Sequence, residues 1–119
     1  MKICIIGDLK FENEIDYIKK QLESIKYLVY VPLYEYRIEN PNFKMDIDYY
    51  IFEREYIYNS DYILLICDNK KDKTFIFNFG VIFGSKKNFK VLSIKNIRNL
   101  SNDKFKFKEY NSDEKTSRE

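Results

Sequence analysis

Four short apolar runs recur along the chain, and this recurrence is the feature that most constrains the fold. The runs occupy residues 2–6, 27–31, 62–67 and 89–94. Each is five or six residues long, rich in Ile, Leu and Val, and most are ended by glycine, proline or a charged turn. Runs of this length and composition are typical of buried strands. The sequence therefore predicts four strands.

The segments between these runs have the spacing of helices. Residues 11–26 place apolar side chains at steps of four, three, four and three, which is one face of an amphipathic helix. Residues 46–58 show near-helical spacing after Asp46, a favourable capping residue, and residues 74–84 are apolar almost throughout. Strands that alternate with helices imply right-handed crossovers. We therefore predict a three-layer α/β/α sandwich with a mostly parallel, four- to five-stranded sheet of the flavodoxin or Rossmann-like type.

The remaining segments have weaker patterns. Residues 33–45 are polar and aromatic without a clear period, so we predict a loop there. Phe105 and Phe107 alternate with lysines, which allows a short fifth strand. We predict a single domain over residues 1–110 and a polar, disordered tail over residues 111–119.

The composition excludes several kinds of site. The chain has no histidine, which removes Ser-His-Asp and Cys-His catalysis and histidine-ligated metals. Its two cysteines, Cys4 and Cys67, lie inside apolar runs, so we predict buried free thiols rather than a metal site. No metal and no other cofactor is predicted. The net charge is +2 with interspersed charges and no basic stripe, so nucleic acid is not an expected partner.

The sequence predicts neither a membrane-spanning segment nor a signal peptide. No apolar run approaches the roughly 18 residues of a membrane span, and the first run is too short for a signal peptide. We therefore expect a soluble cytoplasmic protein without a membrane partner.

The predicted topology indicates where a ligand would bind. In open parallel sheets, ligands bind beyond the carboxyl ends of the strands, where the strand order reverses. This rule points to Gly7–Asp8, to residues 32–34 and to residues 67–73. Gly7 would let a ligand approach the backbone closely, although a single glycine after a strand is also a common turn residue.

Three polar residues deserve a chemical interpretation. Asp61 precedes the third strand, where aspartate is also common in turns. Asp72 either caps the next helix or faces the pocket. Asn78 lies on an otherwise apolar helix, where an unpaired buried amide would cost about 1–3 kcal/mol, so it needs a ligand or a nearby loop as partner.

Three segments together resemble the nucleoside 2-deoxyribosyltransferase family, which includes 2′-deoxynucleoside 5′-monophosphate N-glycosidases. They are residues 1–9 with a strand ending in glycine, residues 59–66 with Asn-Ser-Asp before an apolar strand, and residues 78–85, which are similar to the family's Glu-x-Gly-x-Ala helix. A strand that follows a Gly-Lys type of turn completes the pattern. The resemblance covers about residues 1–94.

The resemblance implies roles for individual residues. Gly7 would lie under the bound nucleoside with Asp8 beside it, and Gly80 would match the glycine two residues after the nucleophile. Glu53 would match a carboxylate that the family often carries on the preceding helix.

The resemblance also assigns two catalytic acids and contains one central departure. Asp61 would orient the nucleophile, and Asp72 would be the acid on the base side, which favours a nucleoside over a monophosphate. The nucleophilic glutamate itself aligns with Asn78, and the family's alanine is replaced by Ile82. Displacement at the anomeric carbon needs a carboxylate, so an amide at position 78 predicts impaired or lost N-glycosidic chemistry.

Three functional hypotheses follow. The first is a binding protein that keeps the nucleoside or nucleotide pocket. The second is an active transferase or N-glycosidase with a displaced carboxylate, for which the candidates are Glu35, Glu39, Glu53, Glu55 and Asp72. The third is a protein-interaction scaffold, because residues 27–58 hold eight of the eleven tyrosines, although these rings could equally cover the sheet. The resemblance also implies a homodimer or higher homo-oligomer, because relatives build their site across a subunit boundary.

Overall fold

A four-stranded parallel sheet forms the centre of the computed structural model, which describes residues 1–68 and 73–100. The strands are β1 Lys2–Ile6, β2 Leu28–Tyr30, β3 Tyr62–Cys67 and β4 Asn88–Ser93. Their order across the sheet is β2-β1-β3-β4, and every pair is parallel. This arrangement confirms the predicted α/β class and the four strands.

The helices cover both faces of this sheet. They are α1 Glu12–Ser24, α2 Pro32–Glu39, α3 Ile47–Tyr58, α4 Lys73–Ser85 and α5 Ile94–Leu100, with a short 3-10 turn at Leu9–Phe11. Helices α1 and α5 contact each other on one face, and α3 and α4 contact each other on the opposite face. The predicted three layers are therefore confirmed.

The central strands are apolar because helices cover both of their faces. In β1, Ile3 and Ile5 pack into one core cluster, while Cys4 and Ile6 pack into the cluster on the other face. All six residues of β3 are buried. Cys4 and Cys67 are buried free thiols, as predicted.

The segment predicted as a loop over residues 33–45 is in part a helix. Helix α2 begins at Pro32, whose fixed φ suits the first helical position. Its fully buried positions are the adjacent residues Pro32 and Leu33, so no helical period was visible. Tyr34 donates a 2.6 Å hydrogen bond to Asp16 of α1, which holds α2 against that helix. The loop prediction was therefore wrong for residues 33–39.

Helix α5 occupies the region where the sequence pattern weakens. Ile94 and Ile97 are buried in the same cluster as α1, which explains why a helix of only seven residues is stable there. The alternating segment around Phe105 and the tail over residues 111–119 lie outside the described residues.

Asp46 does cap α3, accepting hydrogen bonds from the backbone N–H groups of Asp48 and Tyr49 at 3.1 and 3.4 Å. Within the described ranges, no helix is long and apolar enough to cross a membrane.

The end of α1 has a lysine in a conformation that favours glycine. Lys26 has a φ of 74°, and its N–H donates to the carbonyl of Glu23 while the N–H of Tyr27 donates to Leu22. These are the two hydrogen bonds of a Schellman motif, in which glycine is the preferred residue at the left-handed position.

Lys26→Gly is therefore expected to raise the free energy of unfolding by about 0.5–1 kcal/mol, because it removes the strain of a Cβ at positive φ. Chemical denaturation would measure the change. Lys20→Gly, on an exposed position inside α1, is the matched control and should lower stability by about 1 kcal/mol. A destabilised Lys26→Gly variant would contradict this account of the helix end.

Candidate functional site

A cleft opens at the carboxyl ends of β1 and β3, where the strand order reverses. The connection through α1 leads from β1 to one side of the sheet, and the connection through α4 leads from β3 to the other side. The cleft is lined by residues from the end of β1, the 3-10 turn, the end of β3 and the first turns of α4: Gly7, Asp8, Lys10, Phe11, Leu65, Ile66, Cys67, Asp68, Thr74, Phe75 and Asn78. This is the location that the strand pattern predicted for Gly7–Asp8 and Cys67.

The cleft is shallow. Its volume is about 320 Å³, a figure that includes the space open to solvent. The enclosed part of the cleft has room for roughly one or two waters. In this conformation only a small group of a ligand, such as a hydroxyl or an amine, can reach the floor.

Asn78 supplies the most unusual atom of the cleft. It lies on the face of α4 that packs toward the sheet, its residue is only 2% exposed, and its neighbour on the same face is buried Ile82. Its side-chain oxygen, Oδ1, is buried and has no hydrogen-bond partner among the described residues. A buried carbonyl oxygen of this kind requires a donor from a water or a ligand.

Gly7 closes the floor of the cleft. It is buried at the end of β1, and a Cβ added there would lie 3.2 Å from Cδ1 of Ile15 and 3.4 Å from Cβ of Ile66. Glycine is therefore favoured by the close packing of α1 and β3 around this position.

Carboxylates dominate the charge of the cleft. Asp8 caps the 3-10 turn by accepting a 3.2 Å hydrogen bond from the backbone N–H of Lys10. Asp68, at the end of β3, is exposed and lines the same cleft. Lys10 is the one basic side chain among the described lining residues, and its Nζ lies 5.2 Å from the ring centroid of Phe11. The described lining therefore carries two acidic groups and one basic group.

Glu53 is buried in α3 and does not line this cleft. Its residue is 1% exposed, and one carboxylate oxygen accepts a 2.9 Å hydrogen bond from the hydroxyl of Tyr49. Burial raises the pKa of Glu53 to about 7, while the Tyr49 hydrogen bond acts in the opposite direction. The pKa of the Cys4 thiol is raised, mainly by burial and secondly by the charge of Glu53, which places the two groups near each other.

Two further predicted site residues lie away from the cleft. Asp61 precedes β3 and is at the opposite edge of the sheet, where its carboxylate accepts a 2.8 Å hydrogen bond from the backbone N–H of Lys2 and its own N–H donates to the Lys2 carbonyl. Gly80 is on the exposed side of α4, and a Cβ added there would meet nothing within 4 Å. The structure thus brings Gly7, Asp8 and Asn78 together, but not Asp61, Gly80 or Glu53. Asp72 lies outside the described residues.

The sequence interpretation did not identify Lys10, Phe11, Asp68 and Thr74 as lining residues. Asp68 and Thr74 fall in or beside the segment 67–73 that was expected at the site, whereas residues 32–34 do not line the cleft. The position of Lys10 and Phe11 depends on the 3-10 turn, which folds the chain back over the end of β1. No group of three or more acidic or cysteine side chains in the described part of the chain is arranged to hold a metal ion.

Comparison with known proteins supports the fold. No protein-family model matches the chain, and no curated protein matches it. Among solved structures, it is similar to a 2-deoxyribosyltransferase from the psychrotolerant bacterium Bacillus psychrosaccharolyticus, an enzyme described as a biocatalyst for the synthesis of nucleosides. The two share 16% sequence identity with a TM-score of 0.55, over 78% of this chain and 72% of the other. At this identity the likeness shows a common fold.

Proposed function

We propose that this chain is a nucleoside 2-deoxyribosyltransferase-like protein that binds a nucleoside or nucleotide in the cleft and has lost or impaired N-glycosidic chemistry. The observation that carries the proposal is the buried, unpaired Oδ1 of Asn78 on the cleft wall. The similarity of fold to a 2-deoxyribosyltransferase supports the choice of ligand class.

The chemistry of an amide separates binding from catalysis. Asn78 is neutral, so its oxygen is a poor nucleophile and would not form the glycosyl intermediate that a carboxylate forms. The same oxygen is a good hydrogen-bond acceptor for a sugar hydroxyl or for an N–H on the edge of a base. In the unliganded protein the buried Oδ1 has no donor, which costs free energy. A ligand that donates a hydrogen bond to it would remove this cost, and the gain would contribute to the free energy of binding.

The charges of the cleft favour a nucleoside over a phosphorylated ligand. Asp8 and Asp68 face the same space, and Lys10 offsets only one of them. A phosphate would add negative charge beside two carboxylates, which disfavours it. Both carboxylates can instead accept hydrogen bonds from sugar hydroxyls.

The test is a panel of deoxynucleosides, ribonucleosides and their monophosphates, read by thermal shift for binding and by chromatography for free base. We expect the unfolding temperature to rise with a nucleoside and no base to be released. Asn78→Leu should abolish the ligand shift, yet raise the stability of the unliganded protein by about 1 kcal/mol or more, because an unpaired buried oxygen is removed. Asn13→Leu, on the exposed side of α1, is the matched control. A full ligand shift retained by Asn78→Leu would overturn the proposal.

Catalysis by another carboxylate is the second candidate, because Asp8 and Asp68 line the cleft. Of the carboxylates suggested by sequence, Glu35, Glu39 and Glu55 are exposed and do not line the cleft, and Glu53 is buried in α3. Asp72 lies outside the described residues. Release of base by the native chain that is lost in Asp8→Asn or Asp68→Asn would establish this alternative.

The tyrosine-rich segment mostly covers the fold and gives little support to a scaffold function. Tyr36 contacts the rings of Phe43, Tyr49 and Phe52 at centroid distances of 5.0–5.4 Å, and Tyr56 continues this cluster. Rings that contact one another in this way stabilise the packing of α2 on α3.

A further inference from the structure

We infer that this chain binds a small zwitterion, with an alkylated ammonium group at one end and a carboxylate at the other, in a second groove beside α3. The walls of this groove are formed by Lys2, Tyr30, Phe52, Glu55, Tyr56 and Asn59. Its volume is about 790 Å³, a figure that includes the space open to solvent. The groove shares no lining residue with the cleft at the carboxyl ends of β1 and β3, so the inference does not depend on the nucleoside proposed above.

One face of α3 forms the length of the groove. Its four lining positions, from Phe52 to Asn59, recur at helical spacing, which places their side chains on the same face of the helix. At 1.5 Å per residue this face is about 10 Å long. Ser60 follows the helix, and its hydroxyl donates a 2.6 Å hydrogen bond to the carbonyl of Tyr56, which fixes this end of the groove. The groove therefore has room for a small molecule whose two ends differ in chemistry.

Three aromatic rings line the groove. The ring of Tyr56 contacts those of Tyr30 and Phe52 at centroid distances of 5.7 and 5.1 Å. The rings are inclined to Tyr56 by 55° and 51°, so they form angled walls and not a flat stack. All three are partly exposed, and no lysine or arginine in the described part of the chain lies over them. Angled, accessible rings of this kind bind quaternary and methylated ammonium groups through cation–π attraction.

Two carboxylates lie close to these rings. Glu55 lines the groove beside Tyr56 on α3. Burial first, and the negative charge of Glu35 second, raise the pKa of the Tyr56 hydroxyl, which places Glu35 of α2 within electrostatic range of the same ring. Both carboxylates are exposed, and neither forms an ion pair with another residue that the structure describes. Their charges add to the attraction of the rings for a cation.

Lys2 gives the groove an opposite charge at one end. Two hydrogen bonds join its backbone to Asp61, which follows Asn59 by two residues, so Lys2 lies near the end of α3. Phe52 is toward the other end, where its ring contacts that of Tyr36 in α2 at a centroid distance of 5.0 Å. The groove is thus aromatic over one part and positively charged at one end. A simple cation would be repelled by Lys2, whereas a carboxylate on the same ligand would pair with it.

Glycine betaine is the probe for this groove, because it joins a trimethylammonium group to a carboxylate through a single CH₂. We expect its methyl proton NMR signal to broaden when the full chain is added, with a dissociation constant below about 10 mM. The compound 3,3-dimethylbutanoate has the same shape and the same carboxylate, but carbon replaces the charged nitrogen. It should bind at least about tenfold more weakly, because the cation–π attraction is lost. No broadening, or equal affinity for the two compounds, would overturn the inference.

Glu55→Gln tests the groove in the protein. It removes one exposed carboxylate beside the rings and should weaken the binding of glycine betaine at least about threefold, without an effect on folding. Glu39→Gln is the matched control, because it removes the same charge from an exposed position of α2 that does not line the groove. If both variants weaken binding equally, the ligand responds to the overall charge of the protein and the assigned groove is wrong.

Choline tests the positively charged end, because it carries the trimethylammonium group without the carboxylate. The native chain should bind choline at least about threefold more weakly than glycine betaine, and Lys2→Gln should remove this preference. Equal affinity of the native chain for the two compounds would contradict a zwitterionic ligand. Asn78→Leu should bind glycine betaine as the native chain does, so the outcome at this groove is separate from the outcome at the cleft.

Discussion

If the proposed function is right, Asn78→Glu is expected to make this chain release free base from a deoxynucleoside. The substitution places a carboxylate at the buried cleft position where the side-chain oxygen has no hydrogen-bond partner among the described residues. Removal of a catalytic nucleophile costs on the order of 10⁶-fold in hydrolases, so a gain of at least about 100-fold over background is a modest expectation. Chromatographic detection of base over time measures it.

Asn78→Gln is the matched control for this experiment. It has the length of glutamate without the carboxylate, so any base release that depends on size or on an enlarged cleft would appear in it as well. If both variants are inactive while the native chain still binds nucleosides, position 78 is a binding position only. If Asn78→Glu no longer binds, the longer side chain blocks the shallow floor, and the cleft then has no room for the family's nucleophile.

Glu53→Gln is expected to stabilise the protein at pH 8 and to leave it unchanged near pH 4.5. Burial raises the pKa of Glu53 from its ordinary value of 4.5 to about 7 in the folded protein. Between these two pH values the folded state therefore keeps a proton on the carboxylate that the unfolded state has released. The contribution of Glu53 to the free energy of unfolding is therefore fully present at low pH and is lost as the pH rises through about 7. A shift of this size corresponds to about 3 kcal/mol between the two ends of the range.

Denaturation curves of both proteins from pH 4.5 to 8 measure this difference. The informative quantity is the stability of Glu53→Gln minus that of the native chain, because all other titrating groups contribute equally to both. The glutamine oxygen can still accept the hydrogen bond from Tyr49, so the native contact is kept. A difference that does not vary with pH would show that the carboxylate is not held in an apolar environment. Tyr49→Phe should lower the stability of the native chain most at high pH, where Glu53 is charged and needs the donor.

The fold could be predicted from sequence because the local residue pattern of each strand and each long helix agrees with the structure that the segment adopts and with its position in the fold. The run at residues 62–67 is apolar on both sides and lies in the centre of the sheet, and Asp46 caps α3 as its residue type predicts. Helix α2 could not be predicted, since its stability comes from contacts of Tyr34 and Arg37 with α1. Such contacts link residues more than 15 positions apart, and no local pattern reports them.

The candidate site was only partly predictable. Gly7 and Asp8 were found because strand ends fix the position of a cleft in a parallel sheet. Asn78 was found because it is a polar residue on an otherwise apolar helix. Asp61 was selected by the resemblance, yet a residue immediately before a strand lies at the amino end of that strand, at the edge opposite the cleft. The burial of Glu53 depends on how α3 packs over β1, and its raised pKa could not be read from its neighbours in sequence.

The strand order β2-β1-β3-β4 also determines when the chain can fold during its synthesis. The segment before β3 contains only β1 and its edge partner β2 as strands, and a pair of parallel strands without further partners is not stable in water. The central pairing of β1 with β3 joins Ile3 to Tyr62, so it waits until the roughly 60 residues between these strands have been translated. At about 5–20 residues per second, β1 remains unpaired on its inner edge for several seconds. Its apolar sequence is then exposed to chaperones and to other nascent chains, so aggregation is favoured in the interval before β3 emerges.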